Sequence, residues 1–360
     1  MIVAHLADLH LGFGAYERSE AGRNAREADV EAAFQTAVEE IAGIGADAVL
    51  IAGDVFDRPD PPSSALVALA RGLETLRQRL PDAPVLIAAG PRDTPRQGGG
   101  GVLAALDTLP GVEAASDGAR SVRVRDLHVR LVPHRAALAD PRAAEPDPSA
   151  RWNVLVTHAR ARAARAGAPT LTVDAAGWSY VALGGEHVHR APAPNVRWAG
   201  SLERIGWRPW DEALEEKGFL TYDLAAGRAT FHPIAVRAVV SLAPIRVKGG
   251  GPERVRRRVR QVIDEVPGGI DGKIVRVRVQ GAEPADLAGL TEDLLPALRG
   301  RALHLSVGLD ETPRAQPPRA AEELVPRLAD LLTQEGIVEQ DALGRAAALL
   351  GERAATEAVR

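Results

Sequence analysis

The sequence predicts an α/β fold in which parallel strands carry a site at their carboxyl ends. Two observations predict it. Short, wholly apolar runs such as residues 48–52 have the length and composition of strands buried on both faces. These runs also stop on residues able to hold a metal ion. DAVLIAGDVFDRP breaks at Gly53 into Asp54 and Asp57, and IVAHLADLH stops at Asp8 and His10. PVLIAAGPRD ends at Arg92 and Asp93, WNVLVTH at His158, and YVALGGEHVH at His187 and His189. In an open parallel sheet, ligands bind at those strand ends.

In chain order, residues 1–8 give the first strand, followed by the loop LHLGFGAYERSEAGRN. Residues 26–44 show helical spacing, with Val30, Phe34, Val38 and Ile41 on one face and Gly43 and Gly45 at the end. After the strand at 48–52, residues 61–80 read as a second helix, with Pro61 and Pro62 ahead of Ser63 and Leu66, Leu69, Leu73, Leu76 and Leu80 on one face. The strand at 84–89 runs into GPRDTPRQGGGG, which lacks the lysine and hydroxyl of a nucleotide-binding loop and reads as a flexible connection. A short helix at 102–109 precedes SVRVRD and LHVRLVPH, which alternate as a half-exposed hairpin, and residues 135–151, rich in proline and alanine, read as a loop. Beyond the strands ending at His158 and His187, WAGSLERIGWRPW carries turn residues and three tryptophans. FLTYDL and ATFHPIAV then form a hairpin that closes a first domain, residues 1–235.

A composition shift near Arg237 opens a second unit, residues 236–312. VVSLAPIRVKG reads as a strand, 253–266 as a helix, KIVRVRVQ as a strand, 287–298 as a helix and ALHLSVGL as a strand, which makes a small α+β module. Residues 313–360 hold a proline-rich linker and two or three amphipathic helices with Leu324, Leu328, Leu331 and Leu332 in a stripe. Such a tail either packs on its own domain or docks on a partner.

The 360 residues are 46% hydrophobic and 26% charged, an ordinary globular composition. There is no cysteine, so metal ligands are oxygen and imidazole. No leader pattern opens the sequence and no apolar run approaches the ~18 residues of a membrane span, so a cytoplasmic place is expected. A net charge of −4 gives no global attraction to nucleic acid. In RVRRRVR, at 254–260, Val255, Val259 and Val262 define a buried face; the arginines fall on the solvated side or form a DNA-binding stripe. His5, His128, His134, His232 and His304 sit in strand patterns and read as structural, and Trp207 and Trp210 as packing between domains.

An Asp and a His two apart on a strand-end loop can face one ion, and a carboxylate such as Asp54 can bridge two. A mixed Asp/His shell without sulfur suits Mn2+. Two ions ~3.5–4 Å apart make the clamp used in phosphoester hydrolysis. DLHLG, GDVFD, G-x-x-D, VTH, and YVALG followed by a histidine stand here in the order and spacing of the calcineurin-like metallophosphoesterases, which the chain resembles. The resemblance extends to the double-strand-break repair exonucleases of the SbcD type through GFGAYERSEAGRNAREAD, WAGSLERI and PWDEALEEKGF, and covers residues 1–235.

What the resemblance implies is a four-layer α/β/β/α metallophosphoesterase sandwich with a capping domain and a helical tail. It supplies one ion with Asp8, His10, His187 and a bridging Asp54, and leaves Asp54 and His158 for the second. The family's GNHD is GPRD here. Pro91 therefore replaces an asparagine ligand and Arg92 the proton-donating histidine, so the catalytic group is not assigned. Arg92 is instead expected to bind substrate phosphate, because a guanidinium cannot act as general acid. Gly185 stands where the first histidine of GHxH belongs. A one-residue gap would pair His187 with His189 instead, but a buried strand tolerates register shifts poorly.

The resemblance thus implies a DNA repair nuclease subunit cutting phosphodiesters with Mn2+, one ion firmly held and the second weak or absent. Its implied partners are DNA, an SbcC-type coiled-coil ATPase met by the tail, and a second copy of itself. Two alternatives stand beside it: a non-catalytic DNA- or ATPase-binding homologue, and a phosphoesterase for small substrates.

Overall fold

The computed structural model describes residues 1–309 apart from 21, 141–142, 159–174, 207, 248–250, 289 and 291–292. The linker and helical tail expected over 313–360 lie outside the described residues, as does Trp207. Strand β1 (Ile2–Leu6) leads through a small hairpin, β2 (Ser19–Glu20) and β3 (Arg23–Asn24), to helix α1 (Ala25–Ile44). The Asn24 side chain caps α1 by accepting from the N–H groups of Arg26 and Glu27, and Gly45 ends it in the left-handed region. Then follow β4 (Ala48–Ile51), α2 (Ser63–Arg79), β5 (Val85–Ala88), α3 (Gly101–Leu106) and β6 (Val112–Ala115). β1, β4, β5 and β6 pair in parallel. The sequence reading passes over β6, because VEAA lacks the branched and aromatic residues that mark strands.

The second sheet takes β7 (Arg120–Val124) and β8 (Leu127–Val132), then, past α4 (His134–Ala139), β9 (Trp152–Thr157), β10 (Tyr180–Leu183), β11 (Arg190–Ala193) and β12 (Val196–Trp198). The β7–β8 hairpin is half-exposed in β7 alone, since β8 is buried nearly throughout. Helix α4 corrects the loop expected over 135–151: its N-cap is Pro133, whose fixed φ suits a helix start. The chain returns to the first sheet as the antiparallel hairpin β13 (Gly218–Asp223) and β14 (Arg228–Pro233), with β13 against β1. Among the described residues each sheet thus has six strands, in orders β14-β13-β1-β4-β5-β6 and β11-β12-β10-β9-β8-β7.

Strand alternation sorts the core into layers. Ala4, Leu6, Val49, Ile51 and Ile87 face α1 and α2, where Val30, Phe34, Val38, Leu69 and Leu73 meet them. Val3, Leu50, Leu86 and Ala88 face the second sheet's Val129, Leu131, Val154, Val156 and Tyr180. The second sheet's outer face, with Leu155, Val181 and Trp198, is covered among the described residues by Ala137 of α4 and by Trp178. The order of layers is α/β/β/α.

Beyond Arg237 come β15 (Val239–Ser241), β16 (Ile245–Arg246), α5 (Gly251–Asp264), β17 (Ile274–Gln280), α6 (Pro284–Ala288), α7 (Leu294–Arg301) and β18 (His304–Leu309). The strand expected over VVSLAPIRVKG is broken near Pro244 into β15 and β16, which pair with the two ends of β17. The helix expected over 287–298 is replaced by α6 and α7. All pairings are parallel, so the module is α/β in character. Val275, Val277 and Val279 face Val255, Val259 and Ile263 of α5, while Ile274 on the other face joins Val239, Leu303 and Ala25 against Tyr16 and Trp210. Arg237 at the crossing donates to both Asp29 carboxylate oxygens (2.6 and 2.7 Å) and to the Gly272 carbonyl (2.6 Å). No helix among the described residues is long and apolar enough to cross a membrane.

Candidate metal centre

The loops after β1 and β4 are joined by backbone bonds. Asp8 N–H donates to Gly53 O (3.0 Å), His10 N–H to Asp54 O (2.9 Å), and Asp57 N–H to Leu11 O (3.1 Å). This pairing holds Asp8, His10 and Asp54 in the left-handed region, at φ 50°, 47° and 50°. Non-glycine residues rarely occupy that region, and such strain gathers at functional sites. Parallel strands β9 and β10 deliver His158 and the GGEH loop to the same end. Glycine is required where backbones crowd the carboxylates: a Cβ at Gly90 would lie 2.2 Å from Asp54 Oδ1.

Two sets of side chains converge. Ligand atoms of Asp8, His10 and His187 lie within 4.8 Å of one another, and so do those of Asp8, Asp54 and His158. Asp54 Oδ2 is 3.6 Å from both His10 Nε2 and His158 Nε2, which links the sets. Asp8 is common to both sets, whereas Asp54, the expected bridge, belongs to the second alone. Asp8, His10, Asp54 and His158 are buried and His187 is partly exposed.

These residues fit a divalent cation. His10 Nε2 is buried with no hydrogen-bond partner, although its other nitrogen is held by Asp57 Oδ1 at 2.9 Å. Among the described residues the ion pairs of Asp54 are with His10 and His158, and no lysine or arginine neutralises it. Burial raises the Asp8 carboxyl above the usual carboxylate range, as does the Asp54 charge beside it. Burial also drives Asp93 up to about 7, again aided by Asp54. For His158, burial opposes the charged ring, but Asp54 and Asp8 outweigh it and raise its pKa. His187 is raised in the same way, with Glu212 and Asp8 overcoming burial. Stacked carboxylates and imidazoles that wait on a positive charge are the donor set of a hard-to-borderline ion.

The remaining predicted residues fall at the edge. Arg92 N–H donates to Asp54 Oδ1 (2.9 Å), but its exposed guanidinium is turned to the Asp57 carbonyl (3.4 Å). Gly185 N–H donates to both Asp8 oxygens (3.1 and 2.9 Å), and a Cβ there would stand 3.2 Å from His158 Nε2. His189 belongs to neither set; its Nδ1 meets the Trp198 carbonyl (2.8 Å) and its ring stacks on Phe231.

Sequence reasoning missed the residues that hold the ligands in place. Asp57 was visible in GDVFD without a role; it anchors His10. Asp93 accepts from Phe56 N–H (3.0 Å) and Gly90 N–H (2.8 Å), tying GPRD to GDVFD. Glu212 Oε1 lies 3.6 Å from His187 Nδ1, and Glu212 also pairs with the buried Lys217, whose Nζ donates to the His187 carbonyl at 2.6 Å. His134, read as structural, has a backbone N–H bonded to Ala89 O (2.9 Å), and its half-buried ring feels both His158 and Asp54.

Comparison with known proteins agrees with this geometry. The family described as calcineurin-like phosphoesterase matches residues 1–165. The "DNA double-strand break repair protein Mre11" of Methanococcus maripaludis is 32% identical over 96 residues, 27% of this chain and 24% of that protein. The protein of the same name from Aeropyrum pernix is 42% identical over 95 residues, 26% of this chain and 21% of that one. The match to Methanopyrus kandleri Mre11 is longer, 26% identical over 326 residues, with 80% of this chain and 67% of that protein covered. The first of these matches span about a quarter of the relatives' length. Residues 1–165 are a calcineurin-like phosphoesterase domain, in a chain with Mre11 homologues at low identity.

Proposed function

We propose that the chain is a Mn2+-dependent phosphodiesterase acting on DNA, a nuclease subunit of a repair complex. The observation that carries this reading is the pair of ligand sets sharing Asp8, in a domain whose relatives are DNA break repair proteins. A divalent ion bound there would polarise the phosphate and lower the pKa of an attacking water. The chain's own residues do the rest. Asp57 and Glu212 fix the rings of His10 and His187, so that their remaining nitrogens point into the site. Asp54 and Asp8 supply the negative charge that holds the ion, and Gly185 and Arg92 aim backbone N–H groups at the same carboxylates.

The reading includes an impaired second position. Asp54 and His158 have Pro91, Arg92 and Gly185 where further donors would stand, and no imidazole is placed by GPRD to protonate the leaving oxygen. One ion is firmly held and the second weakly. The module beyond Arg237 caps the domain, residues 313–360 meet an SbcC-type ATPase, the chain pairs with a second copy, and it works in the cytoplasm. A non-catalytic, DNA- or ATPase-binding subunit is the second reading, favoured by Arg92 at the acid's position.

The test is hydrolysis of a DNA duplex by the full chain with Mn2+, with Asp8→Ala as control. Slow hydrolysis that the control loses supports the nuclease reading. Hydrolysis that survives Asp8→Ala overturns it, and DNA binding with no hydrolysis at any Mn2+ concentration selects the non-catalytic subunit.

A further inference from the structure

A buried glutamate–lysine pair and a tryptophan wedged under the capping module share one short segment, residues 209–217. Its first turn, Pro209–Glu212, is a 3-10 helix. Trp210 packs on the module through Val239, Ile274 and Leu303. The guanidinium of Arg276, on β17, lies over the Trp210 ring, 5.5 Å from its centroid. Two residues on, Glu212 turns the other way and meets His187 Nδ1. The same carboxylate pairs with Lys217, which reaches the His187 carbonyl. Ring and backbone of this ligand therefore rest on one pair of charges.

The segment is braced as a unit. Arg204 donates to the carbonyls of Glu212 (2.9 Å), Glu215 (2.9 Å) and Arg237 (3.1 Å), so the turn and the chain crossing to the module are tied to one guanidinium. Gly206 leaves the Glu212 carboxylate room, since a Cβ there would come within 2.7 Å of Oε1. A displaced Trp210 cannot relax without moving Glu212, because a tight turn spans them and Arg204 fixes its exit. Lys217 and Glu212 are both buried and belong to neither ligand set.

We propose that residues 209–217 are a relay through which the seating of the capping module on Trp210 sets how firmly His187 holds a divalent ion. Trp210, Arg276 and Glu212 are positioning residues, and the partner that the relay serves is whatever shifts the module. The inference rests on the metal-centre reading. Partners that orient a metal-bound histidine typically change ion affinity 10–100-fold, and an indirect displacement is expected at the lower end.

The experiment is Mn2+ titration of the full chain by calorimetry, with melting curves to confirm folding. Trp210→Ala is expected to weaken Mn2+ binding about tenfold, Trp210→Phe to restore it to within about twofold, and Arg276→Ala to weaken it in the same direction by a smaller factor. Glu212→Gln should weaken it by about tenfold or more, and adding Trp210→Ala to it should cost no more than about twofold further, because both act by one route. If Glu212→Gln strands Lys217 and prevents folding, Glu212→Gln/Lys217→Met takes its place. A folded Trp210→Ala chain with unchanged affinity, or losses that multiply in the double variant, overturns the relay alone. A wild-type chain that binds no Mn2+ overturns the metal centre and the relay together.

Discussion

The two halves of the candidate centre are furnished differently. Around His10 and His187, each imidazole is held from behind by a carboxylate, Asp57 in one case and Glu212 in the other. Around Asp54 and His158, backbone does that work: His158 Nδ1 meets the Ala52 carbonyl (2.9 Å), and Asp54 is met by the Arg92 N–H. Either acceptor fixes a histidine's tautomer and raises its basicity, as the Ala52 carbonyl does for His158, but a carboxylate adds a full negative charge to the effect. Each half converges three side chains, counting Asp8 in both. On the reading proposed above, the second half lacks the further donors that the family pattern supplies, since Pro91 has no side-chain donor and Gly185 has no side chain.

Asp8 is common to both halves, so removing it tests the whole comparison. Asp8→Ala should abolish retention of any ion after dialysis, by elemental analysis, while Asp54→Asn should weaken Mn2+ binding in calorimetry by at least ~10-fold, chiefly at the second half. Retention of one ion by Asp8→Ala would mean that the halves do not share it. The next effect is on rate. Pro91→Asn with Arg92→His returns a donor and a proton source to the second half, and DNA hydrolysis should rise by about 10²-fold or more over the wild type. Gly185→His is a poorer third step, because φ at Gly185 is +99°, where a histidine backbone is strained. No change in rate from the double variant, with folding and ion content intact, would show that the loss lies elsewhere.

Much of this site was legible because strand ends are legible. An apolar run that stops on an acid, a histidine or a glycine leading to one marks both where the sheet ends and where chemistry starts, and Asp8, His10, Asp54, His158 and His187 all stand at or just past such stops. Of the four edge strands of the two six-stranded sheets, β7 and β14 were legible but β6 and β11 were not, since these two are short and hold alanine, glutamate and proline where a strand signal needs branched residues. The α5 face was readable from Val255 and Val259, whereas the break between β15 and β16 depended on one proline. Glu212 was illegible for another reason. It lies far along the chain from His187, in a segment with no period, and only tertiary packing brings them together.

The Asp57 anchor gives a smaller effect confined to the first half. Asp57→Asn keeps a hydrogen-bond acceptor for His10 Nδ1 but removes the charge that strengthens it. Mn2+ affinity should fall about tenfold, with ion binding at the second half unaltered. An equal loss at both halves in a two-site titration would show that Asp57 supports the loop as a whole and not His10.

The mildest perturbation is protonation. His158 and His187 both titrate above an ordinary imidazole, because neighbouring carboxylates outweigh burial, and an ion can bind only after each gives up its proton. Ion affinity should therefore fall as pH is lowered, starting above the ordinary value of 6.5. The slope cannot exceed about one decade per pH unit for each imidazole displaced. The sign follows from the raised pKa: acid favours the charged, non-ligating ring in both halves. The halves separate when Glu212 is neutralised. Glu212→Gln removes a cause of the raised pKa at His187 but leaves Asp54 and Asp8 acting on His158. Binding at the first half should then keep its affinity to lower pH than in the wild type, relative to its own plateau, while the second half is unchanged. Identical pH profiles for Glu212→Gln and wild type, measured by Mn2+ calorimetry, would mean that the glutamate does not act on His187 and that the two halves are less different than their geometry indicates.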